Sequence, residues 1–303
     1  MAAPVRIGTC SFADDALTRY WYPKGLPARE RLGWYAERFS TVEVDSTFYA
    51  IPSESVVQGW ADRTPAGFVL HVKAFGVMTR HPVRLEQLPP ALREGMPLDA
   101  RGRVDRPGRD QRALVFRAFL AALEPLRAAG KLGGILFQLP PYVVPTDSAF
   151  EYLDWAREQL GGDEMLVEFR HRDWFAEDVR AELFPWLEER RVSYVTVDAP
   201  RLDARNVPQT VVAVTGPIAY VRFHGRNAST WNTRGGGAAA RFDYTYRAEE
   251  LEEWVEPLRG LADASEQAYA FFNNNNQSDG VAQAPAGAEL LRRLLEEQDV
   301  PVG

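Results

Sequence analysis

Hydrophobic and polar positions alternate in six short stretches of the chain: VEVDSTFY (42–49), VLHVKAF (69–75), ILFQLPP (135–141), LVEFRHRDWF (166–175), YVTVDAP (194–200) and YVRFHGRN (220–227). In an extended strand successive side chains leave on opposite faces. The spacing therefore puts Glu43 with Asp45, His71 with Lys73, Glu168 with Arg170, and Arg222 with His224. Gln138 and Asp198 join such a face near the ends of their segments. A face of ten polar groups is costly to bury unless they pair or bind something. It marks where function is to be sought.

Eight strands are predicted, at about 5–10, 41–46, 68–74, 133–139, 165–170, 192–198, 218–224 and 268–273. Most are followed by stretches with apolar residues at i, i+3, i+4 spacing, over 29–39, 53–63, 112–130, 148–160, 176–191, 247–262 and 286–298. The segment after the sixth strand is short and gives no clear helix. Eight β-then-α units predict parallel strands with crossover helices. In 303 residues they fit a single α/β domain, a (β/α)₈ TIM-type barrel over 1–303, irregular around strands six and seven. No GxGxxG follows the first strand, so a doubly wound sheet is the second choice. Two connections exceed plain barrel loops. Residues 76–111 are rich in Arg, Pro and Gly, and residues 225–246 have a Gly-rich middle between aromatic ends. Both leave the C-terminal ends of strands, where barrel enzymes place their sites; the second reads as a glycine-hinged lid.

On that face Asp45, Lys73, Glu168 and His224 are the candidate catalytic groups. Two carboxylates in different surroundings can divide acid and base duties, with Asp45 the base and Glu168 the acid. Lys73 and His224 would carry protons or stabilise charge. The deeper Glu43, His71 and Arg222 are expected to satisfy one another. Arg170, Arg222 and Arg226 offer forked guanidinium groups to an anion. Asp198, Tyr49, Trp174 and Asn273, the first of the run Asn273–Asn276, are candidates to line the substrate, since rings beside charges suit a sugar or a base. Trp34, Trp60, Trp155, Trp186 and Trp254 fall in helical patterns and read as core, and Cys10 as a buried thiol.

Net charge of −7 and a pI near 5.3 disfavour nucleic acid as a partner and favour a small anionic or sugar-like molecule. One cysteine excludes an intrachain disulfide and a thiolate cluster. No run approaches the ~18 apolar residues of a membrane span, and no apolar leader opens the chain, so a cytoplasmic address is expected. No cofactor is expected; the alternative is a single divalent metal held by His171 and His224 with Glu168, Asp198 and Asp45 near.

Eight motifs in order make the chain similar to the YecE-like family, also called domain of unknown function 72: IGTCSF, VEVDSTFY, HVKAFGVMTRHP, LFQLPP, VEFRHRDWF, VTVDAP, RFHGRN and FFNN. The resemblance covers nearly the whole chain and implies a TIM-type barrel; it implies no settled activity. The chain departs from the family pattern at Cys10-Ser11-Phe12, where Ser-Gly-Trp is usual, at Asp45, where Asn is usual, and at Gln283-Ala284, where an Asn-Ala pair is common. The functional expectation is an acid–base, hydrolase-like enzyme acting on a small polar or anionic substrate such as a sugar or nucleotide derivative. The alternatives are a metal-dependent phosphoesterase or endonuclease-like enzyme on nucleic acid, and a non-catalytic ligand-binding barrel.

Overall fold

Eight parallel strands wind into one barrel: β1 (Val5–Thr9), β2 (Thr41–Val44), β3 (Val69–Lys73), β4 (Leu132–Gln138), β5 (Met165–Glu168), β6 (Ser193–Asp198), β7 (Ile218–Phe223) and β8 (Gln267–Phe272). The computed structural model describes residues 3–202, 204–207, 209–231 and 242–303. Hydrogen bonds join the strands in the order β1-β8-β7-β6-β5-β4-β3-β2, every pair parallel. Between β1 and β2 a side chain replaces the ladder. The Tyr35 hydroxyl accepts from the Thr9 amide at 2.9 Å and donates to the Thr41 carbonyl at 3.2 Å. Gly8 permits this close seam, because a Cβ there would sit 2.5 Å from the Thr41 oxygen.

The helices are α1 (Asp15–Tyr20), α2 (Arg31–Ala36), α3 (Glu54–Asp62), α4 (Arg109–Ala122), α5 (Glu124–Ala128), α6 (Asp147–Leu160), α7 (Glu177–Glu189), α8 (Ala248–Glu252), α9 (Val255–Asp263) and α10 (Gln283–Glu297). Helix α6 shows the rule they follow: Ala149, Tyr152, Leu153, Ala156 and Leu160 form one buried stripe at 3.6-residue period. The single helix expected over 112–130 breaks at Leu123, where Pro125 in the first turn of α5 has no amide to continue the ladder. Among the described residues no helix lies between β6 and β7. The 76–111 connection is ordered by short 3₁₀ turns and a two-residue antiparallel ribbon pairing Val83–Arg84 with Arg103–Val104.

Strands of such a barrel are buried on both faces. One apolar cluster fills the interior, with Leu136, Leu166, Val195, Val197, Tyr220 and Phe271; the other lies between the strands and the helices. No helix among the described residues is long and apolar enough to cross a membrane.

Candidate active site

Four charged side chains, Glu43, Glu168, Arg170 and Arg222, form a buried column inside the barrel. Arg222, on β7, donates through Nη2 to Glu43 Oε1 at 2.7 Å and through Nη1 to Glu168 Oε2 at 2.5 Å. The Tyr220 hydroxyl donates to the other Glu43 oxygen at 2.7 Å. Glu168 Oε1 accepts from Gln138 at 2.8 Å and from Arg170 at 3.3 Å. Two carboxylates thus meet two guanidinium groups, which makes burial of all four affordable only as a set. Burial pushes the Glu168 carboxyl up, but Arg222, His224 and Arg170 outweigh it and hold it well below the usual carboxylate range. The expected mutual satisfaction of Glu43 and Arg222 is present.

His224 sits on top of this column. Asn273, oriented with its amide nitrogen toward Nδ1 at 2.7 Å, assigns the ring proton to Nε2, which donates to Glu168 at 3.1 Å. Burial drives the imidazole down to about 3, so it stays neutral. Trp231 and Phe242, which flank the part of the 225–246 loop outside the described residues, cover it, the Phe242 ring stacked at 5.0 Å. The Arg170 guanidinium lies over the Trp231 ring at 5.2 Å. The mouth is therefore capped above β5 and β7. Of the predicted lid, residues 225–246, the stretch 232–241 lies outside the described residues.

Over β2 and β3 solvent still reaches the strand ends. Asp45, just past β2, and Lys73, the last residue of β3, are both half-buried. Thr47, in the turn after β2, ties that turn to β3: its hydroxyl donates to the Lys73 carbonyl at 2.5 Å and lies 2.9 Å from the Val44 carbonyl. Among the described residues neither the Asp45 carboxylate nor the Lys73 ammonium has a hydrogen bond or an ion pair within 4 Å; the ammonium rests 4.7 Å over the Phe48 ring. Burial raises the Asp45 carboxyl to about 7, against the pull of Lys73. Burial, then Arg222, lower the Lys73 ammonium. Tyr49, more than half exposed, stands beside them, and the His81 ring packs against Phe48 at 5.0 Å.

Several expected roles are corrected by this geometry. Asp198 pairs in register with Phe223, and both point to the helix layer, not the interior. Its carboxylate accepts from Trp254 Nε1 at 2.7 Å and from Arg226 Nε and Nη2, each at 2.9 Å. Gly225, at φ +83°, turns the chain outward between His224 and Arg226, so Arg226 serves Asp198 and Glu253 rather than an anion. Arg222 is likewise consumed by two carboxylates. Trp174 is fully buried, its indole donating to the Val143 carbonyl at 2.8 Å, and cannot touch a ligand. Asn273 positions His224. Glu168 is held ionised by Arg222, and His224 is held neutral between Asn273 and Glu168. Among the described residues no three His, Cys, Asp or Glu side chains come together as a metal-binding group; His171 turns toward Asp173 at 3.5 Å. Tyr220, the partner of Glu43, shares strand parity with Arg222 and His224, but an uncharged ring in a strand does not by itself mark a polar role.

His71 does not join the column. Its ring lies among Tyr269, Tyr220 and Phe271, 4.3, 5.0 and 5.4 Å away, and neither nitrogen has a hydrogen-bond partner among the described residues. Burial lowers it to about 3 from 6.5. A depressed imidazole lends stability above pH 6.5 that is lost as pH falls toward 3. The His71→Leu variant is expected to shrink the drop in unfolding free energy between pH 7 and pH 5 by about 2 kcal/mol. Urea titrations of both proteins at the two pH values measure it, and equal drops would refute it.

The comparisons agree with this architecture. The family model described as protein of unknown function DUF72 matches residues 6–302. The chain is similar to the UPF0759 protein YunF of Bacillus subtilis (strain 168), 29% identical over 273 residues, 89% of each chain. Among solved structures it is similar to a DUF72 family protein from Thermotoga maritima MSB8, at 28% identity and TM-score 0.75 over 97% of this chain and 99% of that one. Another, from Enterococcus faecalis V583, gives 24% identity and TM-score 0.76 over 96% and 95%.

Proposed function

Because this chain belongs to the family described as protein of unknown function DUF72, its activity has to be read from its own residues, and we propose that it is an enzyme moving a proton on a small polar ligand at the open half of the barrel mouth. Asp45 is the acid–base group, and Lys73 is the cation that holds negative charge as it develops. One observation carries the reading: at the C-terminal strand ends these two opposite charges have no hydrogen bond or ion pair among the described residues, while the charges below them are paired. A carboxyl raised to about 7 can both take and return a proton near neutral pH. A partly desolvated ammonium meets an anionic intermediate in surroundings where its charge counts for more than in water. Tyr49 and Phe48 give the ligand an aromatic wall. The finer reading is hydrolysis of a sugar or nucleotide derivative, with Asp45 activating water. Metal-dependent phosphoester cleavage draws no support from His171, His224 and Asp198, which are committed elsewhere.

Lys73 offers a test that needs no known substrate. The chain has three lysines, Lys24, Lys73 and Lys131. Lys131 is tied to the Ala61 and Thr64 carbonyls, each at 2.6 Å. In competitive labelling with acetic anhydride at pH 8, Lys73 is expected to react severalfold faster than Lys24, and the Asp45→Asn variant to raise that ratio further by removing the opposite charge. Labelling of Lys73 slower than Lys24 would count against an accessible, depressed ammonium.

A further inference from the structure

Beside the barrel mouth, between the 76–111 connection and the turn entering α6, lies a cavity of about 600 Å³. Arg80, Arg106 and Arg112 line it, with Asp105 as its one carboxylate. Arg112 is 9% exposed, and its guanidinium makes no hydrogen bond and no ion pair among the described residues. Its contact is the Tyr152 ring, 5.0 Å away. Arg80 lies over the same ring at 5.3 Å, and its guanidinium also has no hydrogen bond or ion pair among the described residues. Two like charges held on one aromatic ring repel, and a buried cation without a counter-charge is among the costlier arrangements a fold can carry. Arg80 adopts φ +66°, a left-handed backbone that ordinary residues avoid, with its carbonyl held by the Tyr142 hydroxyl at 2.6 Å. Asp105 does not neutralise the pair, since its 3.8 Å contact goes to Arg106.

The remaining wall suits an oxyanion. Thr146 and Ser148, 3.2 Å apart at their hydroxyls, stand at the start of the 14-residue α6, whose first amides carry partial positive charge. Arg112 falls in the opening turns of α4, and its side chain lines the same cavity. A carboxylate would answer one guanidinium; a phosphoryl group, with three oxygens and close to two charges, answers both.

We propose that this cavity binds the phosphoryl group of a small phosphorylated molecule, gripped by Arg112 and Arg80 and by the hydroxyls of Thr146 and Ser148. The net charge of −7 favours a small ligand over a nucleic-acid backbone. The site does not depend on the chemistry assigned to Asp45 and Lys73.

Isothermal titration of the full chain with inorganic phosphate and with phenyl phosphate tests it. One equivalent of each is expected to bind, Arg112→Met to weaken binding at least tenfold, and Arg80→Ala severalfold. Asp45→Asn is expected to bind both as the parent does. Arg112 has no hydrogen bond or ion pair to lose among the described residues, and Met keeps an apolar contact with the Tyr152 ring, so Arg112→Met without ligand should melt no lower than the parent, which separates lost binding from lost fold. Absence of binding, undiminished binding by Arg112→Met, or displacement of phenyl phosphate by a tighter-binding single-stranded oligonucleotide would each overturn the proposal.

Discussion

Replacing Arg222 by Met is expected to destabilise the protein by about 3–5 kcal/mol, enough to unfold many domains of this kind. The side chain is the shared partner of Glu43 and Glu168, and all three are wholly shielded from solvent. Its loss leaves two carboxylates in the barrel interior with Tyr220, Gln138, His224 and Arg170 alone to compensate. The variant Arg222→Met, Glu43→Gln, Glu168→Gln removes the charges together and should recover most of the loss, because apolar or neutral replacement of a whole buried set is far cheaper than breaking it. Denaturant unfolding of the two variants measures the difference. Equal stability of parent and Arg222→Met would show that the column is not the interlocked unit described.

The second large effect is kinetic. Asp45→Asn should lower turnover by roughly 10²–10⁴-fold, the usual contribution of a positioned acid or base, while leaving the barrel folded. It should also stabilise the fold above neutral pH. A carboxyl raised from 3.8 to about 7 keeps its proton in the folded chain after the unfolded chain has lost it. The stability it lends is present below pH 4 and is gone once pH has risen through 7. Asn never ionises, so the variant should match the parent at pH 4 and exceed it by on the order of 1–3 kcal/mol at pH 8. Melting curves at the two pH values measure the difference, and a variant less stable than the parent at pH 8 would contradict it.

Much of this was legible in strand parity. Glu43, Lys73, Glu168, Arg170, Arg222 and His224 all fall on the interior side because alternation in a strand is rigid and the barrel has one inside. Asp198 was misread for the same reason: both faces of a barrel strand are buried, so a polar residue does not by itself say which face it occupies. Trp254, fifty-six residues downstream, makes the outer position tolerable, and no local pattern links them. Arg226 depended on the backbone of Gly225, and Asn273 on a neighbour in another strand. That Lys73 and Asp45 have no hydrogen bond or ion pair among the described residues is a matter of distances that spacing cannot supply. Arg112 was hidden inside a helical pattern, though the density of arginines over 80–112 was a signal available from the start.

The account turns on an acid–base pair at the open strand ends, and carbon-detected NMR titration of the Asp45 carboxyl tests it most directly. The expected midpoint lies near 7 and moves higher in the Lys73→Met variant, which has lost the cation that favours the ionised form. A midpoint near that of an ordinary aspartate, unmoved by Lys73→Met, would contradict it.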